Sequence, residues 1–352
     1  MGSQRVIAVC GSTGQSIQRP TVLEASPNLI FILCLLDTRL LAWNTYLWAA
    51  GTQGGSVISH LQRDGTFAIR ALTRKPSSPR AKELAQSGIE VVYADYDDLE
   101  SLIAAFRGCY GVYGVTNWFE AFEGEREQGF NLVRAAKATN VQHFVLSTGE
   151  HCAPLKCPQS ETKADTNDFL ISSGIPRTSI YLTFYYSNMF LFDAIHKRAD
   201  GALHMNLPFP TDSPIPSLAA SDVGGFVLAA FLDPSKWVGQ DMRLCTEYIT
   251  PRQYATIFEE VSGIPVHIHE VTLDEFMQME GNPYPSDVWS IFCWFLTGQT
   301  QRFNPETAAR IFPERQTWRQ FASQHIEPAI PSPSSMEIKQ EYIVEHTDST
   351  VA

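Results

Sequence analysis

Through the first half of the chain, short runs of β-branched and apolar residues alternate with longer stretches in which apolar positions recur every three or four residues. Residues 6–10, 67–73, 89–93, 111–115, 143–146 and 177–183 have the apolar character of strands in a buried parallel sheet. Residues 52–61, 99–106, about 123–139 and a segment running past Lys163 to about Ser172 have helical spacing. Strand alternating with helix predicts an α/β fold, a doubly wound parallel sheet with its ligand outside the carboxyl ends of the strands. From residue 184 the pattern changes. An aromatic stretch at 184–192 is followed by Pro-marked loops near 208–210 and 214–216. A helix starts beyond Ser221 and Asp222, with the aspartate as a cap, and further helices follow at about 251–262, 274–280 and 286–296, with a short strand at 266–270. This predicts a smaller C-terminal α+β region, in which Trp289, Phe292, Trp294 and Phe295 either line a pocket or pack.

The first strand runs directly into Gly11-Ser12-Thr13-Gly14, as a parallel strand meets a phosphate-binding turn. A third glycine and a helix should follow, because the N–H groups and positive dipole end of that helix hold a pyrophosphate. Instead residues 15–51 intervene, and only then comes Thr52-Gln53-Gly54-Gly55-Ser56-Val57. With 15–51 removed, the text is a complete G-x-x-G-x-x-G turn and helix start. The intervening segment is strongly apolar, yet Asp37 and Arg39 stand near its middle and would each add ~2.5–3.5 kcal/mol to membrane insertion. The segment therefore reads as a retained intron, in frame and placed where its removal restores the motif, and no membrane association is expected of it.

Candidate chemistry collects at the predicted strand ends. Arg74 and Lys75 follow the second strand with no acid nearby in sequence. A carboxylate there would accept from the 2′-OH of NAD, whereas an arginine suits the 2′-phosphate of NADP, so NADP(H) is preferred over NAD(H). The plain alternative is a solvated basic loop. Asp95 ends the third strand and is a candidate for the adenine side, while Asp98 caps the next helix. Thr116 and Asn117 end the fourth, where a nicotinamide ribose would lie, and Ser147 and Thr148 end the fifth. Carbonyl reduction in ordinary short-chain dehydrogenases uses a Tyr acid four residues before a Lys, with a Ser or Thr hydroxyl. Thr148 and Lys163 suit two of these roles, but Gln159 stands where the Tyr belongs and no Tyr occurs between Gly114 and Tyr181. His151 or water is the substitute donor, and the plainer reading of His151 is a surface residue. His267 and His269 alternate on one strand without a third metal ligand nearby, and no metal site is assigned.

Composition narrows the class. The 352 residues carry 26 Lys+Arg against 38 Asp+Glu, a net charge of -12, with no basic run. Direct nucleic-acid binding is not expected, because such affinity rests on clustered cations. Seven cysteines without a C-x-x-C pair read as reduced, buried thiols, and the start of the chain has no room for a secretory signal. Both point to the cytoplasm, with the nucleus as a further location. The tail 328–352 is polar and Pro/Ser-rich, as in a disordered terminus.

Taken in order, the interrupted glycine turn, Arg70-Ala71-Leu72-Thr73-Arg74, Ala94-Asp95-x-Asp97-Asp98, Gly111-Val112-Tyr113 with Val115-Thr116-Asn117, and Tyr185-Tyr186-Ser187-Asn188-Met189 resemble the NmrA-like family of atypical short-chain dehydrogenases/reductases. The resemblance implies a Rossmann core over 1–14 and 52–183, and a substrate or partner region over 184–327. It implies NAD(P) held by Gly11, Ser12, Thr13, Gly14, Thr52, Gln53 and Gly54 at the pyrophosphate. Arg74 and Lys75 would hold the 2′-phosphate, and Asp95, Thr116, Asn117, Lys163, Tyr185 and Asn188 would make further contacts. Two functions follow. One is an NADPH-dependent reductase of small organic substrates that uses Lys163 without the usual Tyr. The other is a non-catalytic dinucleotide sensor that regulates transcription through a protein partner. The oligomeric state is left open.

Overall fold

The computed structural model describes residues 4–11, 52–191, 194–198, 201–281, 286–296 and 301–326. Ser12, Thr13 and Gly14, the segment 15–51 and the tail 328–352 lie outside the described residues.

The central sheet has seven parallel strands: β1 (Val6–Val9), β2 (Ala68–Thr73), β3 (Glu90–Tyr93), β4 (Gly111–Gly114), β5 (His143–Thr148), β6 (Arg177–Tyr181) and, after four short strands, β11 (Asp241–Arg243). Their spatial order is β3-β2-β1-β4-β5-β6-β11, with every pair parallel. This is the doubly wound, Rossmann-like arrangement, in which the order reverses beside β1 and opens a crevice there. The helices are α1 (Thr52–Asp64), α2 (Pro79–Gln86), α3 (Leu99–Phe106), α4 (Glu125–Ala138), α5 (Pro158–Ser173) and α6 (Val223–Leu232). They cover both faces, so β1, β4 and β5 are buried almost throughout. One apolar layer joins Val57, Ile58 and Leu61 of α1 to Val223, Phe226 and Val227 of α6 on one face of the sheet. The other joins Leu102 and Phe106 of α3 to Leu132 and Ala136 of α4.

The smaller region contains β7 (Phe184–Tyr185), β10 (Ile215–Leu218) and β12 (Glu247–Ile249) in one sheet, and β8 (Ile195–Lys197), β9 (Leu203–Met205) and β13 (Val266–Ile268) in another. It adds α7 (Pro251–Ser262), α8 (Ser286–Leu296) and α9 (Trp318–Gln324) around an aromatic core of Tyr186, Tyr254, Phe258, Trp318 and Phe321. Thr250 and Gln253 form the capping box that starts α7, with Pro251 in the first turn. Asp98 caps α3 as expected, its side chain accepting from the Ser101 amide. Asp222 differs from its expected capping role. It makes no side-chain cap bond to α6, and its carboxylate instead accepts from the backbone N–H of Gln316 at 2.7 Å, tying the segment that leads into α9 to the start of α6. Among the described residues no helix is long and apolar enough to cross a membrane.

Candidate functional site

Gly11 leaves β1 with φ +67°, a left-handed conformation that glycine adopts without strain. A Cβ on Gly54, in the first turn of α1, would lie 2.5 Å from the Gly11 carbonyl oxygen. The start of α1 is therefore seated directly on the end of β1, although residues 12–51 separate them in sequence. Unpaired N–H groups at such a helix start attract anions. The residues present fit a pyrophosphate: Gly54 permits the close helix–strand approach that a dinucleotide turn requires. Gln53 projects from the same turn and accepts from the Tyr113 hydroxyl at 2.6 Å, while Thr52 opens the helix in solvent.

The ends of β2, β3 and β4 hold the next group. Thr73 and Thr116 are buried, and Asp95 is half-buried, its Oδ1 accepting from the Asp97 N–H at 3.1 Å. Lys75 is exposed. The expectation that no acid lies near Arg74 is wrong. Glu120, on the short helix Trp118–Ala121 that follows β4, places its Oε2 2.6 Å from Arg74 Nη2. Asn117 is drawn into the same group, its Nδ2 donating to Glu120 Oε1 at 3.1 Å. Sequence distance hid this pair, since parallel strands bring together ends that lie far apart in the chain.

Beyond the ends of β5 and β6 is a cavity of about 160 Å³. Its polar side comprises Gln53, Thr148, Glu150, Gln159 and Lys163, and its apolar side Tyr185, Ile291, Trp294, Phe295 and Phe303. Thus the start of α1, the start of α5 and the aromatic face of α8 meet at one place. Lys163 is ion-paired with Glu125, a carboxylate only 1% exposed at the first position of α4, which also accepts from the Thr162 hydroxyl. Burial lowers the Lys163 pKa, and the Glu125 charge opposes that shift. Thr148 donates its hydroxyl to the Lys163 carbonyl at 2.8 Å, so it anchors the lysine's turn of helix to β5. Gln159 donates to the Asp287 carbonyl at 2.8 Å and ties α5 to α8, while its buried Oε1 has no partner. Two tyrosines line the cavity, but burial pushes both the Tyr181 and the Tyr185 phenol up, which makes each a weaker acid than a lysine-activated one. Glu150 is fully engaged by Arg243 at 2.9 Å and Arg302 at 2.7 Å. A larger hollow of about 350 Å³ lies along β2, β3 and α3, but the Arg70 guanidinium within it is already bound to Glu90 and to the carbonyls of Ala105 and Arg107.

Not every candidate joins the cavity. His151 is exposed between Glu161 at 2.6 Å and Asp168 at 3.1 Å, and these carboxylates raise its pKa. Asn188 begins the short helix Asn188–Leu191 and is half-buried. The imidazole of His267 has His204 as its cross-strand neighbour, with ring centroids 5.2 Å apart. Glu125 and Glu120 were not anticipated. Their partners, Arg74 and Lys163, lie 46 and 38 residues away in sequence, so no local signal marks either pair.

Comparison with known proteins agrees with this architecture. The NmrA-like family matches residues 46–342. The NmrA-like family domain-containing oxidoreductase hkm9 of Aspergillus hancockii is 30% identical over 296 residues, covering 78% of this chain and 87% of the relative. Among solved structures, NmrA, a negative transcriptional regulator in complex with NADP, superposes with a TM-score of 0.66 at 19% identity, over 83% of this chain and 94% of that one. The NADPH-dependent quinone oxidoreductase QOR2 of Escherichia coli, complexed with NADPH, gives 0.63 at 21% identity, over 78% and 96%. With its parallel sheet ordered about β1, its glycine contact between strand and helix, and a family match across most of its length, the chain belongs to the NmrA-like family.

Proposed function

We propose that this protein is an NADP(H)-dependent oxidoreductase of small organic substrates that works without the usual tyrosine acid. The observation that carries the reading is the cavity at the ends of β5 and β6, where Lys163 and Gln53 face an aromatic wall supplied by α8. A nicotinamide cofactor supplies a hydride there when bound. Glu125 opposes the loss of charge that burial imposes on Lys163 and directs its ammonium, a donor suited to a ribose hydroxyl. Trp294, Phe295 and Phe303 exclude water from one side and accept a flat apolar substrate. With Gln159 at the acid's position, the proton comes from solvent, which suits activated acceptors such as quinones and enals. The NADPH-bound QOR2 neighbour and the oxidoreductase relative support this choice. On the same reading, residues 1–14 and 52–183 form the dinucleotide half and 184–327 the substrate half, and the protein works in the cytoplasm.

The test is NADPH consumption with a panel of quinones, enals and ketones. Lys163→Ala is expected to lower kcat about 100-fold, the loss that misplacing a bound reactant produces, while Thr148→Val, which removes only a hydroxyl spent on a carbonyl, lowers it far less. A second reading, the dinucleotide-sensing regulator, draws on the same Gln159 and Thr148 and on the resemblance to NmrA. Retained dinucleotide binding with no turnover on any acceptor would favour it over catalysis.

A further inference from the structure

Arg74 is the residue expected to meet a 2′-phosphate, and its guanidinium already has an anion. Glu120 uses both oxygens: Oε2 lies 2.6 Å from Arg74 Nη2, and Oε1 accepts from Asn117 Nδ2 at 3.1 Å. Asn117 Oδ1 in turn accepts from the Phe119 N–H at 3.2 Å, fixing the short helix that presents Glu120. Arg74 follows β2 and Glu120 follows β4, and in the sheet β1 lies between those two strands. The ion pair therefore spans the mouth of β1, beside the Gly11 turn and the start of α1. Its side chains are 36% and 28% exposed, so water and salt screen the pair and a competing anion can exchange into it.

We propose that Glu120 is a specificity-determining residue that competes with the nucleotide 2′-phosphate for Arg74. This rests on the nicotinamide-dinucleotide reading above. A 2′-phosphate is a better partner for Arg74 than Glu120, because it carries more charge and can bind bidentately, whereas Glu120 meets the guanidinium through one oxygen and spends the other on Asn117. It must nevertheless displace Glu120 and then lie near a carboxylate that has lost its cation. NAD(H), with a 2′-hydroxyl, leaves the pair intact. Glu120 thus narrows a preference for NADP(H) that Arg74 alone would make wide.

The test is calorimetric titration of the full-length protein and its Glu120→Gln variant with NADP⁺ and with NAD⁺. The amide keeps the acceptor for Asn117 and removes the charge. We expect the Kd for NADP⁺ to fall about five-fold, the upper range for releasing an exposed ion pair, and the Kd for NAD⁺ to change by less than about two-fold. The gain should vanish when Glu120→Gln is combined with Arg74→Gln. Equal changes for both nucleotides, no change for either, or a gain that persists without Arg74 would overturn the proposal. Dinucleotide binding with an unaltered NADP⁺/NAD⁺ ratio removes only the role of Glu120, whereas failure of every variant to bind either nucleotide removes the nicotinamide reading and this inference with it.

Discussion

Two buried titratable side chains pull the pH dependence of stability in opposite directions. His143 is fully buried at the start of β5, and its Nε2 lies 2.8 Å from Thr178 Oγ1. Burial lowers its pKa from 6.5 to about 4. The unfolded chain therefore binds a proton that the native state refuses, and stability is lost as pH falls from 6.5 toward 4. Asp222 is buried beside Gln316, and burial raises its pKa from 3.8 to about 6. Here the native state binds the extra proton, so stability is lost as pH rises from about 4 to about 6. Each shift corresponds to roughly 3 kcal/mol at 1.36 kcal/mol per pKa unit, so the two nearly offset each other between pH 4 and 6. His143→Gln, which keeps a donor toward Thr178, should grow more stable on acidification. Asp222→Asn, which keeps an acceptor for the Gln316 amide, should gain stability over the native protein at pH 7.5 and lose that advantage on acidification, where the native carboxyl is protonated and only the His143 loss remains. Urea midpoints at pH 4.5, 6 and 7.5 check both, and a His143→Gln profile parallel to that of the native protein would refute the assignment.

At the scale of elements, the sequence was most legible where burial is uniform. The apolar runs of the parallel strands named β1 to β6 to within a few residues, and periodicity placed α3, α7 and α8 at their observed bounds. The short strands β8, β9, β10 and β12 escaped notice, since three or four residues carry too little pattern to distinguish a strand from a loop. The site was half legible. Gln53, Thr148, Lys163 and Tyr185 do meet at one cavity, but the partners that control Lys163 and Arg74 come from elements distant in sequence. Some glycines record close approaches of this kind. Gly224 opens α6 against α1, and a Cβ there would lie 2.2 Å from the Ser56 carbonyl oxygen, while the Gly224 N–H donates to Ser56 Oγ at 2.9 Å. Gly224→Ala must push the two helices apart, and we expect a loss of about 1–3 kcal/mol from overpacking. By contrast Gly124→Ala, where nothing lies within 4 Å of the added carbon, should cost little. Thermal unfolding of the pair measures the difference, and equal melting temperatures would contradict the packing argument.

For the whole molecule the remaining question is the segment 15–51, and the contact between Gly11 and Gly54 constrains it. With that segment excised, Ser12, Thr13 and Gly14 alone would have to join Gly11 to Thr52. An extended residue spans ~3.3–3.6 Å, so three linking residues reach more than 10 Å, about what a turn between two touching glycines requires. The fold described here can therefore close without 15–51. The β1 strand pairs in register with β2 and β4, and the family match begins only at residue 46, so the first strand belongs to the sheet although it lies outside the matched stretch. A chain lacking 15–51 should fold with a melting temperature no lower than that of the full chain, because closing a shorter loop costs less entropy. On the proposed function it should also bind NADP⁺ at least as tightly, because the proposed dinucleotide turn is then the short one the motif specifies. Parallel melting and titration of the two chains, with sequencing of the mature transcript, decide the matter. If the shortened chain unfolds or loses the nucleotide, the segment is a working part of the protein and not a retained intron.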